Sequence, residues 1–176
     1  ASNIGHIKPL TQLLIQMLSN HIAKLNSDTQ KTITIFLTIE NDQLHDSDFI
    51  ETLYSEITNT NIQPGLINIT ISENSFGRQS TKIAGLLERF KTSGFTITVS
   101  DFGSGYLPLN YLNRLYIDNL IIEKTLFDSC KRNQPNLKTI EAIGLMANLA
   151  GLRLILPTPP SHEIVTTLNR TGCNFS

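Results

Sequence analysis

The stretch of sequence best equipped for chemistry spans residues 99–112 and reads VSDFGSGYLPLNYL. A β-branched, apolar segment ends there in Asp101, and a glycine-rich turn with Gly103, Ser104 and Gly105 follows. This order predicts a carboxylate and backbone N–H groups at the carboxyl end of a strand, where α/β folds keep their sites. A strand-to-helix turn with one solvated aspartate has the same spacing, so the spacing alone leaves both interpretations open.

Two further acids belong to this candidate site. Glu40 directly follows the apolar segment 32–39, and Glu123 directly follows the apolar segment 119–122. By side-chain alternation, Glu40 shares the strand face of Thr38, and Glu123 shares the strand face of Ile121, so both are candidates for the site that contains Asp101. The predicted contacts for a ligand or a partner are Asp101, Gly103, Ser104, Gly105 and Glu40.

The composition limits the partners of the chain. Its 176 residues include 14 basic and 15 acidic side chains, a formal net charge of -1, and no segment concentrates either sign. A nucleic-acid-binding surface needs a basic stripe, so we expect no nucleic acid partner. No apolar run reaches the roughly 18 residues of a membrane span, and no signal peptide opens the chain, so we expect a cytoplasmic protein without a membrane span. The thiols of Cys130 and Cys173 are predicted to be reduced and partly buried.

Strands and helices are predicted to alternate along the chain. β-Branched runs at 32–39, 66–72 and 95–99 alternate with segments whose apolar residues recur every three or four positions, and further strands are predicted at 119–122, 153–156 and 172–175. This order indicates right-handed βαβ crossovers and a parallel sheet of about six strands in a single domain, residues 1–176. The pattern fits an open doubly wound sheet or part of a (β/α)₈ barrel, and periodicity does not choose between them.

The stretch 99–112 closely resembles the signature of EAL domains, the bacterial cyclic di-GMP phosphodiesterases, which reads DDFGTGYSSLxYL. Segments 36–44, 69–75, 117–124, 141–153 and 172–175 resemble further motifs of this family, in the family's order. The resemblance implies a parallel β/α barrel of the TIM-barrel-like EAL type. It also implies that the N-terminal strands with the EAL tripeptide are missing and the C-terminus is truncated, so that the barrel is incomplete or open.

The same resemblance implies a degenerate active site. Family members hold Mg²⁺ or Mn²⁺ ions with carboxylates and an asparagine at the strand ends, and these ions generate the attacking hydroxide. Asp101 and Glu123 keep acids at two of the family positions, whereas Glu73 is expected, by strand alternation, to point away from the barrel interior. The degenerate active-site positions implied by the family pattern are Thr38, Thr70, Ser100, Asp101, Ile121, Glu123 and Pro157.

These replacements predict a function without catalysis. We expect no catalytic residue, no metal and no cofactor, and a catalytically inactive EAL-like regulatory module that acts through protein–protein interaction in cyclic di-GMP-related signalling. The alternative is a receptor that binds cyclic di-GMP without hydrolysing it, which is less favoured because positions that frame the ligand are replaced, as at Pro157. An active phosphodiesterase is the least favoured interpretation.

The expected partner is an unknown protein or a linked signalling domain. If residues 32–39 form the first strand of an incomplete barrel, the outer edge of that strand presents unpaired N–H and C=O groups that invite association. We therefore expect either a homodimer through this open edge or the N-terminal segment 1–7 laid across the gap.

Overall fold

A computed structural model describes residues 13, 17, 33–59, 62–76, 80–105, 107, 112, 115–132 and 134–176 of the chain. The segment 1–7, and with it the predicted closure of the gap, lies outside the described residues.

The strands form one parallel sheet: β1 (Ile35–Ile39), β2 (Ile67–Ser72), β3 (Thr96–Phe102), β4 (Asn119–Ile122) and β5 (Arg153–Ile155). Each strand pairs in parallel with the next one along the chain, so the spatial order is β1-β2-β3-β4-β5. A sheet order that never reverses is that of a β/α barrel, whereas a doubly wound sheet reverses at its switch point. The sheet order therefore selects the barrel-type architecture.

The helices are α1 (Asn41–His45), α2 (Ser47–Thr58), α3 (Ser80–Thr92), α4 (Lys124–Arg132), α5 (Gln134–Leu149) and α6 (His162–Thr171), with 3₁₀ turns at Pro64–Leu66 and Glu73–Phe76. Local chemistry sets several helix ends. The carboxylate of Asp46 accepts a 3.0 Å hydrogen bond from the backbone N–H of Phe49 at the start of α2. Gly172, with φ of 70°, ends α6 in the left-handed conformation that glycine adopts readily. None of the helices in the described ranges is long and apolar enough to cross a bilayer.

The two faces of the sheet differ in chemistry. One face carries aliphatic side chains that are fully or almost fully buried, among them Ile69 of β2, Ile97 of β3 and Leu120 of β4. Because right-handed crossovers of a non-reversing sheet all lie on one side, the helices cover this face and form the main core with it. The face of opposite parity carries hydroxyl and amide groups.

A buried polar network links three strands on this second face. The hydroxyl of Thr98 donates to the side-chain oxygen of Asn68, and the amide of Asn119 donates to the Thr98 hydroxyl at 3.0 Å. All three residues are buried, Thr98 completely. The network satisfies polar groups that would otherwise be costly to bury, and it fixes the register of β2, β3 and β4.

The sheet differs from the sequence-based expectation at both edges. The described sheet has five strands where about six were expected, because residues 172–175 contribute only a single bridge, between Phe175 and Leu154. The first strand begins at Ile35 rather than at residue 32, since Ile33 and Thr34 are not paired in a strand. The β-branched composition of the segment therefore predicted a strand that is longer than the part paired with β2, Ile35–Ile39.

Candidate functional site

The candidate site begins at the end of β3, where Asp101 has a strained backbone. Its φ is 57°, and it is the non-glycine residue with positive φ in the described chain. Aspartate tolerates this left-handed conformation better than most residues, but the conformation remains uncommon and is often found at functional sites. The exposed carboxylate accepts hydrogen bonds from the hydroxyls of Ser72 at 2.9 Å and Ser100 at 3.1 Å, which orient it at the sheet edge.

Glu73 organises the glycine-rich turn that follows. One of its carboxylate oxygens accepts from the backbone N–H groups of Gly103, Ser104 and Gly105 at 3.0, 2.7 and 3.2 Å. The same oxygen accepts from the Ser104 hydroxyl at 2.7 Å, and the other oxygen accepts from the N–H of Leu107 at 3.0 Å. Glu73 is only 2% exposed, so these contacts replace its hydration.

This arrangement corrects two sequence-based expectations. The N–H groups of the glycine-rich turn were expected to be free for a ligand, but those of Gly103, Ser104 and Gly105 are used by Glu73. Glu73 itself was expected, by strand alternation, to point away from the barrel interior, and no role in the turn was assigned to it. Strand alternation does not apply to it, because β2 ends at Ser72 and the chain turns into a 3₁₀ helix at Glu73. The sequence signal that could have revealed its role is an acid placed directly after a strand beside a glycine-rich loop.

Glu123 lies at the end of β4, immediately before α4. Its carboxylate accepts from the N–H and the hydroxyl of Thr125, the former at 2.9 Å, and from the N–H of Leu126 at 2.7 Å. These bonds cap the first turn of α4 and favour the charged carboxylate. The hydroxyl and N–H of Thr125, followed by the N–H of Leu126, therefore hold the pKa of Glu123 below its ordinary value of 4.5.

Asp101 and Glu123 line the same open cleft, with a volume of about 660 Å³, at the carboxyl ends of β3 and β4. Gly103 and Ser104 line it as well, so the structure brings four of the predicted site residues together. Glu40 does not line it and instead precedes α1, where its N–H donates to the side chain of Gln43 at 2.9 Å. Gly105 does not line the cleft either. The remaining lining residues are Asn74, Thr125, Leu126 and Ser129.

The other positions implied by the family pattern lie in the strands or just after them. Thr38 lies opposite Thr70 on neighbouring strands, Ser100 is in β3, Ile121 is half-buried in β4, and Pro157 follows the end of β5. Thr70 is 3% exposed, and its hydroxyl is the buried side-chain polar atom without a hydrogen-bond partner in the described part of the chain. Their status as replaced ligand positions stays a prediction.

The donors in the cleft do not form a two-cation centre. Within the described ranges, no three His, Cys, Asp or Glu side chains lie close enough together to hold a metal ion. The carboxylates of Asp101 and Glu123 both already accept hydrogen bonds from their own chain. A pair of divalent cations requires several anionic oxygen ligands, and these residues do not supply them. The expectation of no metal and no cofactor stays a prediction.

Comparison with known proteins identifies the family of the chain. The sequence profile of the EAL domain matches residues 1–176. The probable cyclic di-GMP phosphodiesterase PdeB of Escherichia coli (strain K12) is 28% identical over 176 residues, which are 99% of this chain and 33% of PdeB. The chain thus spans about a third of the length of that relative.

Solved structures share the fold. The PaMucR phosphodiesterase, in complex with c-di-GMP, matches 97% of this chain and 69% of its own with a TM-score of 0.81 at 19% identity. The EAL enzyme Bd1971, with cAMP and cyclic di-GMP bound, matches 95% of this chain and 45% of its own with a TM-score of 0.80 at 18% identity. Both likenesses support the TIM-barrel-like parallel fold predicted from the sequence.

The function predicted from the sequence is wrong. A catalytically inactive regulatory module was expected, yet several relatives are named as cyclic di-GMP phosphodiesterases, and nothing in the comparisons or the structure shows that this chain is inactive. The physical reason is that replaced ligand positions do not by themselves establish inactivity when Asp101 and Glu123 still share one cleft beside the turn organised by Glu73. Because the family profile covers all 176 residues, the chain belongs to the EAL domain family.

Proposed function

We propose that this chain takes cyclic di-GMP into the cleft lined by Asp101 and Glu123. The observation that carries the proposal is that both carboxylates line one cleft at the carboxyl ends of adjacent strands, beside a turn pre-formed by Glu73. Sites of parallel β/α barrels lie at this end of the strands. We choose cyclic di-GMP as the nucleotide because it stands in the names of the phosphodiesterase relatives.

The chemistry of the cleft favours the guanine bases of this nucleotide as the groups that face the acids. Carboxylates accept hydrogen bonds, and the Watson–Crick edge of guanine offers two N–H donors side by side. The same charges repel phosphate groups. We therefore place a guanine edge against Asp101 and Glu123, and the phosphates toward the side-chain N–H groups of Asn74.

Titration calorimetry with cyclic di-GMP tests the proposal, run once with EDTA and once with Mg²⁺, with chromatography of the mixture for the linear dinucleotide. We expect binding in both buffers, and the chromatography reports turnover independently. Cyclic di-AMP is the matched control, because adenine lacks the paired N–H donors, and it should bind at least tenfold more weakly. Absence of binding in both buffers, or equal affinity for the two nucleotides, would contradict the proposal.

The activity, location and partners of the whole protein are also proposals. It spans only part of each relative's length, so the activity of the whole protein is a proposal drawn from the relatives' names. The cytoplasmic location, the protein partner or linked signalling domain, and the homodimer through the β1 edge remain predictions.

A further inference from the structure

A second concave site lies on the outer helix layer, away from the strand ends. It is a groove of about 270 Å³ between α1 and α2 on one side and α3 on the other. Apolar side chains of Leu44, Ile50, Ile83 and Leu86 line it. The first three are buried core residues, so the floor of the groove is continuous with the core and keeps its shape.

The cations along this groove are not equivalent. Arg89 makes a bidentate ion pair with Glu51, one of whose contacts measures 2.9 Å, and its guanidinium lies 3.9 Å above the ring of Tyr54. Lys82 is exposed and lines the groove, and it has no ion pair or hydrogen bond to the described residues. Arg89 is thus already neutralised, whereas Lys82 leaves a positive charge at the rim of an apolar groove.

Gly85 lies between these two cations on α3 and widens the groove. It is exposed, and a Cβ atom built on it would meet no atom within 4 Å. Glycine in a helix interior lowers helix stability relative to alanine, and no contact within the described chain requires it here. Its effect is to leave open the space above Ile83 and Leu86.

We propose that this groove binds a small amphipathic carboxylate, with its aliphatic chain on Leu44, Ile50, Ile83 and Leu86 and its carboxylate beside Lys82. Of the three charged side chains that line the groove in the described part of the chain, Glu51 and Arg89 pair with each other, and Lys82 is the charge left for a ligand. An apolar floor with a few polar groups is the usual construction of a small-molecule site. Lys82 and Arg89 are seven residues apart on α3, about 10 Å along the helix axis, which sets the length of the chain. An aliphatic chain of about eight carbon atoms has a comparable extended length.

Methyl-resolved NMR titration with octanoate tests this site. We expect saturable shifts at the methyl groups of Leu44, Ile50, Ile83 and Leu86. The variant Lys82→Gln should weaken octanoate binding roughly two- to fivefold, as expected for a partly solvated ion pair. It should leave the binding of uncharged 1-octanol unchanged. Lys138→Gln on α5 is the matched control and should change neither.

A second variant makes the test independent of charge. Gly85→Leu replaces a glycine with a strong helix former where space is free, so the fold should be retained, and its spectrum away from the groove reports this. The leucine side chain occupies the groove, so affinity for octanoate and 1-octanol should both fall by at least about tenfold. Non-saturable shifts, shifts centred elsewhere on the surface, or unchanged affinity in Gly85→Leu would overturn the proposal.

Discussion

At the scale of single residues, three acids in and beside the cleft differ in how far their carboxylates are already hydrogen-bonded. Asp101 holds a left-handed backbone and keeps an exposed carboxylate, with the hydroxyls of Ser72 and Ser100 on one oxygen. Glu73 is buried and saturated by the turn, and Glu123 is committed to the start of α4. Of these three acids, Asp101 is therefore the one best placed to exchange its present contacts for a ligand.

We expect Asp101→Asn to weaken the binding of cyclic di-GMP at least about tenfold. The substitution keeps the size and the tolerance for positive φ but removes the charge, and hydrogen bonds to charged groups contribute about 1.5–3 kcal/mol. Calorimetry measures the change, with Glu163→Gln on the exposed surface of α6 as the control. Equal affinity of Asp101→Asn and the unmodified chain would show that this carboxylate does not contact the nucleotide.

The pH dependence of Glu123 follows from its hydrogen bonds. Its folded pKa lies below the ordinary value of 4.5, so its contribution to stability is complete above about pH 4.5 and is lost as the pH falls through the lower folded value. Thr125→Ala removes the largest of the causes. The carboxyl ¹³C titration of Glu123 should then move upward toward 4.5, and an unchanged titration would contradict the assignment.

At the scale of secondary-structure elements, the polar face of the sheet depends on Thr98. We expect Thr98→Val, which keeps the side-chain shape, to destabilise the fold by roughly 1–3 kcal/mol, because Asn68 and Asn119 both lose a buried partner. Urea unfolding measures this, and Thr139→Val on the exposed side of α5 should change stability by less than about 0.5 kcal/mol. Equal effects of the two variants would mean that the network contributes nothing.

The elements were predictable to the extent that short-range patterns control them. β-Branched runs located β1, β2 and β3 because side chains of a covered strand must be apolar on at least one face. The edges were not predictable, since pairing at 33–34 and 172–175 depends on neighbouring strands. Glu73 was missed for the same reason: its role depends on a turn 30 residues away, which no local alternation encodes. Asp101 and Glu123 were singled out because each matches an acid of the family pattern, and the structure lines one cleft with both.

At the scale of the whole molecule, β1 is an outer strand of the described sheet, and its Phe36 is 48% exposed. An outer strand with an exposed aromatic side chain favours association. We expect light scattering to show dimers whose fraction rises with concentration, and Phe36→Lys to shift the population toward monomers. A monomer at all concentrations in the unmodified chain would count against pairing through this edge.

The five hydrogen bonds of Glu73 also have a consequence for solvent exchange of the backbone. Amide protons of a glycine-rich surface turn ordinarily exchange with deuterium rapidly, yet those of Gly103, Ser104, Gly105 and Leu107 all donate to one buried carboxylate. They should exchange at the slow rates typical of strand amides, and with one common protection factor, since a single departure of Glu73 releases all four together. Four matching protection factors in this turn would therefore report the fraction of molecules in which the mouth of the cleft is open.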